Sequence, residues 1–201
     1  MVDNIVIQEG IINPDLWKQS KYKVLFILKE SYGTLSVEGE STYSLPKHLN
    51  YNGAYGHTFT ACNNFLVQLI SDNNCYNKEL IKSSAIINII KTYGENTTTS
   101  WKELRKNYEL NKKLLKEQIE NIDPNIIVFG NTYYLFHEDY AELPSLEYNK
   151  TEIVEDDNSI FNNKIVCNCY HPSIWCKYKS QLSIMLEKII KILERKNGKW
   201  I

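Results

Sequence analysis

Four short apolar runs constrain the fold of this chain more than any other feature of its sequence. They read YKVLFIL at 22–28, SAIINII at 84–90, PNIIVFG at 124–130 and NKIVCNCY at 163–170. Their residues are mostly branched or aromatic and do not alternate between apolar and polar, which is typical of strands buried on both faces of a covered parallel sheet. We therefore predict a sheet built around four buried strands.

Segments with helical periodicity separate or follow these runs. Apolar residues recur at helical spacing in 58–71, 101–122 and 181–195. Strands that alternate with helices require crossover connections, so the strands run parallel and helices cover both faces of the sheet. The predicted fold class is α/β, a three-layer α/β/α sandwich with a central, mainly parallel four-stranded sheet. Segment 31–57 shows no clear element and is predicted to be a long loop, and the polar segment 137–162 is predicted to be a surface excursion.

The overall composition favours one globular domain that spans residues 1–201. Of the 201 residues, 43% are hydrophobic, enough for a substantial core. The formal net charge is −1, so no overall positive field indicates a polyanionic partner, although a local basic patch is compatible with it. Neither a signal peptide nor an apolar run of membrane-spanning length is present, which predicts a cytoplasmic protein without a membrane partner.

The five cysteines do not indicate a disulfide framework or a metal site. Their number is odd, and no secretory context accompanies them. Cys167 and Cys169 lack the two-residue spacer of common zinc loops, and strand alternation places them on one face. We interpret both as small buried hydrophobic residues.

Chemically useful residues follow the predicted strands. The segment KESYG at 29–33 follows the first strand, and Asn88 lies near the end of the second. Gly130-Asn-Thr132 follows the third strand, and His171-Pro-Ser173 follows the fourth. In parallel sheets of this kind, ligands bind outside the carboxyl ends of the strands. We therefore expect Glu30, Asn88 and His171 to lie at one crevice.

The order of these motifs resembles that of the uracil-DNA glycosylase superfamily, in particular its family 4 and related bacterial branches. KESYG at 29–33 stands where that family has Gly-Glu-Ala-Pro-Gly, and GHTFT at 56–60 stands where it has Gly-x-Pro-Phe. INIIK at 87–91 matches Thr-Asn-x-Val-Lys, and IENIDPNIIVFG at 119–130 matches the segment that leads into the third strand. His-Pro-Ser is intact at 171–173. The resemblance covers most of the chain and implies the glycosylase fold.

The chain departs from the family pattern at three points. Lys29 and Tyr32 replace the first Gly and the Pro of the first motif, and TYGENTT follows Lys91 where the family has Cys-Arg-Pro-Pro. No set of cysteines matches the ligands of the family 4 iron–sulfur cluster. The resemblance therefore implies no metal and no cofactor for this chain.

The resemblance assigns catalytic roles to His171 and Glu30. Cleavage of a base from deoxyribose places negative charge on the base and positive charge on the sugar. A neutral His171, held by Pro172, would donate a hydrogen bond to the departing base, and Glu30 would position or activate a water. The alternatives are a strand-end His bonded to the backbone and a surface carboxylate beside Lys29.

The resemblance also implies a set of residues that bind the substrate. Asn88 would bind the edge of the base and Phe59 would stack on it, whereas a buried Asn within the sheet and a core Phe are the alternatives. The DNA- or phosphate-binding residues would be Lys91, Ser173, Ile174 and Trp175. Among these, Ile174 and Trp175 would form an apolar wedge beside the turn, and the alternative for Trp175 is packing under the last helix.

These features together predict a hydrolase similar to DNA glycosylases. It would extrude a uracil-type or otherwise damaged or modified base and cleave the N-glycosidic bond, as in base excision repair. Its partner would be single- or double-stranded DNA, and no protein partner is predicted. The alternatives are a hydrolase of the same fold that acts on another nucleobase or nucleoside, and a nucleic-acid binding module without catalysis.

Overall fold

The computed structural model describes residues 6–30, 42–70, 77–92, 99–139, 152–156, 164–177 and 179–196. Eight strands lie in these ranges: β1 (Val6–Gln8), β2 (Gly10–Ile11), β3 (Val24–Leu28), β4 (Thr42–Ser44), β5 (Ala85–Asn88), β6 (Ile126–Gly130), β7 (Glu152–Asp156) and β8 (Lys164–Cys169). The helices are α1 (Pro14–Gln19), α2 (Leu45–Asn52), α3 (Gly56–Ile70), α4 (Trp101–Ile122), α5 (Tyr133–Asp139) and α6 (Lys179–Lys196), with 3₁₀ turns at Leu80–Ser83 and Pro172–Lys177.

The main sheet is mixed and has six strands in the order β2-β5-β3-β6-β8-β7. Its four central strands are the four apolar runs of the sequence, and they pair in parallel. The prediction of a four-stranded sheet is wrong at both edges, where β2 and β7 pair antiparallel with their neighbours. Neither edge strand has a continuous apolar run in its sequence, and each has a neighbouring strand on one side only. A separate parallel pair joins β1 to β4.

Side chains of the central strands alternate between two apolar cores. In β3, Phe26 and Leu28 belong to a core that includes residues of α3 and α6, and Leu25 and Ile27 belong to a core that includes residues of α4 and α5. The sheet therefore lies between helices on both faces, which confirms the predicted α/β class. Burial on both sides explains why the strand sequences show no alternation.

The longest helix has clear start and stop signals. Ser100 caps α4 by accepting a hydrogen bond from the Glu103 amide, and Asp123 ends it in the left-handed conformation (φ 46°). The helix runs unbroken from Trp101 to Ile122, as the apolar spacing predicts. The other two predicted helices are observed with boundaries moved by one or two residues.

Two predicted irregular segments contain regular elements. The prediction of a loop over 31–57 is wrong for residues 42–57, which form β4, α2 and the start of α3, while 31–41 lie outside the described residues. Ser44 caps α2, and a Pro stands in its first turn, so local capping builds this helix without a long apolar stripe. The segment 137–162 includes the end of α5 and the edge strand β7.

No helix in the described part of the chain is long and apolar enough to cross a membrane. The prediction of a cytoplasmic location stays a prediction.

Candidate functional site

The carboxyl ends of the four parallel strands bring the predicted site residues to one edge of the sheet. Asn88 is the last residue of β5 and pairs with Leu28, the last residue of β3. Glu30 follows β3 by two residues, and His171 follows β8 by two residues. Neighbouring strands lie ~4.8 Å apart, so β6 separates the Glu30 and His171 strands by about 10 Å.

The turn after β8 fixes the orientation of the His171 imidazole. The Ser173 backbone N–H donates to His171 Nδ1 at 3.4 Å, and the Ser173 hydroxyl lies 2.9 Å from the same nitrogen. An amide N–H can only donate, so Nδ1 is an acceptor and the proton of the neutral ring sits on Nε2. The ring therefore presents Nε2–H as a hydrogen-bond donor.

Close packing against β6 holds the His171-Pro172 corner. A Cβ added at Gly130 would lie 2.8 Å from Leu28 Cδ2 and 3.0 Å from Pro172 Cδ, so only Gly allows Pro172 to sit this close. The next residue, Asn131, has a φ of 59° and donates its backbone N–H to the Cys169 carbonyl at 2.7 Å. The end of β6 therefore forms the surface on which the corner rests.

His171 is neutral near pH 7. Its partial burial and the nearby Lys29 ammonium lower the pKa of His171 to about 4. Lys29 follows β3 directly, and its positive charge disfavours protonation of the imidazole. A neutral imidazole with a proton on Nε2 can donate a hydrogen bond to a carbonyl oxygen that is gaining charge.

Glu30 is a buried carboxyl group at the same edge. Its residue is only 8% exposed, and the Thr99 side chain forms a hydrogen bond with it. Burial raises the pKa of Glu30, and Thr99 and Lys29 oppose this shift. Among the described residues no group hydrogen-bonds Glu30 Oε2. This oxygen has the burial and the acceptor capacity needed to hold a water.

Asn88 is tied to a carboxylate that the sequence did not single out. Its backbone N–H and its side-chain Nδ2 donate to Glu9, at 3.0 Å and 2.5 Å. Glu9 lies between β1 and β2, and its side chain is fully buried. Asn88 therefore joins the end of β5 to the segment that leads into the edge strand β2. This matches the alternative of a buried Asn within the sheet, and one N–H of the Asn88 side-chain amide is used in this link.

Lys91, which is predicted to bind phosphate, has its ammonium bound inside the protein in this structure. The Lys91 ammonium donates to Glu9 at 2.6 Å and to Gln118 at 2.8 Å, and only 13% of the side chain is exposed. Burial lowers the pKa of Lys91 and raises that of Glu9, and the attraction between the two charges opposes both shifts. The ammonium is used inside the protein because Glu9 would otherwise be a buried charge without a counterion.

Trp175, which is predicted to form an apolar wedge with Ile174, is buried in this structure. Trp175 is 4% exposed, donates its indole N–H to the Tyr170 carbonyl at 2.6 Å and packs against Phe65. The 3₁₀ turn directs this large apolar side chain into the core shared with α3 and α6, which is the alternative considered above. Ile174 in the same turn is only partly buried, so it is the remaining apolar candidate beside His171.

Ser173 and Phe59 occupy different environments. Ser173 is exposed, and its side chain lies against His171 Nδ1, so it orients the imidazole whether or not it also binds a phosphate. Phe59 is partly buried and packs against the core beneath α3. Its predicted stacking on a base stays a prediction.

A groove adjoins the His171 corner. It has a volume of about 900 Å³ and runs between α3, the Pro172–Lys177 turn and the start of α6. Hydroxyl and amide side chains line much of it, together with Lys179 and no carboxylate. Its lining includes Gly56, His57 and Ser173, which belong to two of the motifs from which the resemblance was drawn.

The cysteines in the strand β8 behave as apolar residues. Cys167 and Cys169 are buried, unpaired and in the same core, as predicted. Burial raises the pKa of both thiols. In the described residues, no cluster of three or more His, Cys, Asp or Glu side chains has the arrangement of a metal site.

Three contributors to the site were missed by sequence reasoning: Glu9, Lys29 as a neighbour of His171, and Thr99. Lys29 and Thr99 carry no local signal, because exposed Lys and Thr near strand ends are common. Glu9 does carry a local signal in the sequence, since it is the only charged residue in the segment NIVIQEGII, which is otherwise made of apolar and amide residues.

Comparison of the chain with models of known protein families gives no match, and comparison with curated proteins gives none either.

Proposed function

We propose that this protein is a DNA glycosylase-like hydrolase with a uracil-DNA glycosylase-like fold. It extrudes a uracil-type or otherwise damaged or modified base from DNA and cleaves the N-glycosidic bond. One observation carries this proposal: a neutral imidazole with its proton on Nε2 lies at the same edge of the sheet as the buried carboxyl group of Glu30.

The proposed chemistry divides the developing charges between two residues. As the glycosidic bond breaks, electrons flow to the base, and His171 Nε2–H donates a hydrogen bond to a base carbonyl oxygen. A donor of this kind is worth about 100–1000-fold in rate. Glu30 in its ionised form orients a water toward the sugar carbon and stabilises its positive charge. The water then adds to that carbon and loses a proton, while the base leaves and is protonated.

Supporting residues complete the proposed site. Ser173 keeps His171 in the required tautomer, and Asn88, held by Glu9, contributes polar groups at the base edge. Ser173 lines the groove beside the His171 corner, and Ile174 follows it in the same turn. Extrusion costs a few kcal/mol and favours bases that are mispaired or unpaired, so such bases are the preferred substrates.

A second candidate function is a hydrolase of the same fold that acts on a free nucleoside. The engagement of Lys91 with Glu9 favours it, because this pair removes the ammonium that the family motif offers to phosphate. A binding module without catalysis is the third. The altered first motif favours that one, since Tyr32 stands where the family has a Pro.

A panel of labelled oligonucleotides tests these proposals. Each strand carries uracil, hypoxanthine, xanthine or a modified pyrimidine, single-stranded or paired, and alkali reveals abasic sites after incubation. Cleavage at one base that His171→Ala abolishes supports the glycosylase. Release of base from free nucleosides alone supports the second candidate, and binding without any cleavage supports the third.

A further inference from the structure

Two aromatic rings form an exposed surface next to Glu30. Trp101, the first residue of α4, remains 39% exposed, and its ring centroid lies 3.9 Å from that of Tyr134 in α5, with 44° between the planes. We call Trp101 and Tyr134 the aromatic platform. None of the motifs on which the resemblance depends includes either residue.

The platform lies at the carboxyl edge of the sheet. Thr99, two residues before Trp101, forms a side-chain hydrogen bond with Glu30 at the end of β3. Helix α5 begins three residues after Gly130, the last residue of β6. Both rings are therefore carried by helices that start beside the candidate site, on the face of the sheet covered by α4.

Contacts beneath the platform hold it rigidly. Tyr108 of α4 meets Phe136 of α5 with ring centroids 5.0 Å apart, and Phe136 lies at the same distance from Phe129 of β6. Arg105 and Glu138 form an ion pair between the two helices. A ring held this way loses little conformational entropy when a ligand stacks on it.

Size and charge indicate the kind of ligand. A stable protein interface buries ~800 Å² on each partner, far more than one half-exposed indole. The other large exposed apolar residues of α4, Leu110 and Leu114, lie about 180° and about 140° around the helix from Trp101 at ~100° per residue, so they do not extend the platform. Lys102 and Lys106 are exposed nearby, with Glu103 the exposed carboxylate between them.

We propose that the aromatic platform stacks a nucleobase of the bound strand, next to the extruded nucleotide. An indole matches one base in size, stacking tolerates every base, and an adjacent cation contributes to phosphate binding. This inference rests on the proposed function for its ligand class. It makes single-stranded or locally opened nucleic acid the preferred form, because the neighbouring base pairs of a duplex cover both faces of a base.

Binding to a fluorescent oligothymidylate, which the protein need not cleave, tests the platform separately from catalysis. Trp101→Ala and Trp101→Leu are expected to weaken binding by about 5- to 150-fold, the factor that corresponds to ~1–3 kcal/mol of stacking per base. Trp101→Phe keeps a ring and stays within a few-fold of wild type. Tyr51→Ala is the matched control, since Tyr51 is 89% exposed on α2 and its loss leaves binding unchanged.

Intrinsic fluorescence gives an independent readout. Stacking on Trp101 quenches indole emission, while Trp17 and Trp175 are buried. The fourth tryptophan, Trp200, lies outside the described residues and is replaced by Phe in all proteins used for this measurement. Trp101→Phe is therefore expected to bind the oligonucleotide with most of the quenching lost. If the quenching persists in Trp101→Phe, or if Trp101→Ala binds the oligonucleotide as tightly as the wild type, the platform proposal is wrong. Thymidine that competes as well as the oligonucleotide shows that a free nucleoside is the ligand and also overturns it.

The two proposals fail in different ways. If the wild-type protein binds oligothymidylate through Trp101 but releases no base from the panel, the glycosylase proposal is wrong and the platform proposal stands. If the wild-type protein releases a base while Trp101→Ala binds the oligonucleotide normally, only the platform proposal is wrong. No nucleic-acid binding by wild-type protein removes both.

Discussion

His171 has the central role in the proposed chemistry, and substitutions at His171 and at its neighbour Ser173 test that role. Replacing it by Ala is expected to lower the single-turnover cleavage rate by about 100–1000-fold, because one donor to the departing base is lost. Affinity for DNA should change far less, since phosphate contacts and stacking dominate binding. Rates under saturating enzyme and affinities from anisotropy separate the two effects.

Ser173→Ala is the matched control for His171→Ala. It removes the hydroxyl next to Nδ1 but keeps the backbone N–H that donates to it. The tautomer is retained, so the cleavage rate should fall by only a few-fold. A loss as large as that of His171→Ala would mean that the hydroxyl, and not the imidazole, is the essential group.

The pKa of Glu30 sets the expected pH dependence. Ionised Glu30 is the active form, and burial raises its pKa, so the single-turnover rate should increase as pH rises through a value above that of an ordinary glutamate. His171 is protonated only near pH 4 and adds a second loss there. Glu30→Gln should lower the rate and remove the upper transition. A profile in which Glu30→Gln keeps that transition contradicts the assignment.

The sequence predicted which residues stand at the strand ends but not what each side chain touches. Positions such as Glu30 and His171 follow from strand boundaries, which apolar runs mark well. The burial of Lys91 and Trp175 was not expected from the sequence, because their environments depend on distant partners. Lys91 meets Glu9, which is 82 residues away in the chain, and no local pattern reports that contact.

At the scale of elements, the end of β6 supports the turn after β8. Gly130→Ala places a methyl group against Leu28 and Pro172. We expect a loss of unfolding free energy of about 1–3 kcal/mol and a larger relative loss of cleavage, because the displaced Pro172 carries His171 with it. Chemical denaturation and single-turnover rates measure the two effects.

Ile126→Val is the matched control for Gly130→Ala. It lies at the opposite end of the same strand, is buried, and should cost about 0.5–1.5 kcal/mol. Its cleavage rate should stay close to wild type at a temperature where the protein is folded. Equal losses of rate in both variants would show that Gly130 acts only through stability.

Elements with a strong local pattern were predicted well, and those built by their surroundings were missed. Helix α4 has a cap, an apolar stripe and a left-handed terminal residue, so sequence alone gave its limits. The edge strand β2 has two residues and β7 reads EIVED, and neither forms a continuous apolar run. Such edge strands form because the backbone of the neighbouring strand offers hydrogen-bond partners. The periodicity of their own sequence does not indicate these partners.

At the scale of the whole molecule, the buried pair of Glu9 and Lys91 links the first residues described to β5 and α4. Glu9→Gln leaves the Lys91 ammonium without its counterion in a largely buried position and should cost roughly 3–5 kcal/mol of unfolding free energy. Urea denaturation at neutral pH measures the loss. The double variant Glu9→Gln/Lys91→Met removes both charges and should recover part of it. A double variant less stable than either single one would contradict an ion-pair origin.

The position of Glu9 in the chain also sets an order of events during synthesis. Residue 9 leaves the ribosome long before the residues it binds, since Asn88 is 79 positions and Lys91 82 positions further along the chain. Gln118, which shares the Lys91 ammonium, is made later still. Until α4 has emerged, this carboxylate stays hydrated and the sheet lacks its edge. The nascent chain therefore completes this end of the fold only after α4 has been made, and the candidate site, which also needs His171, later still.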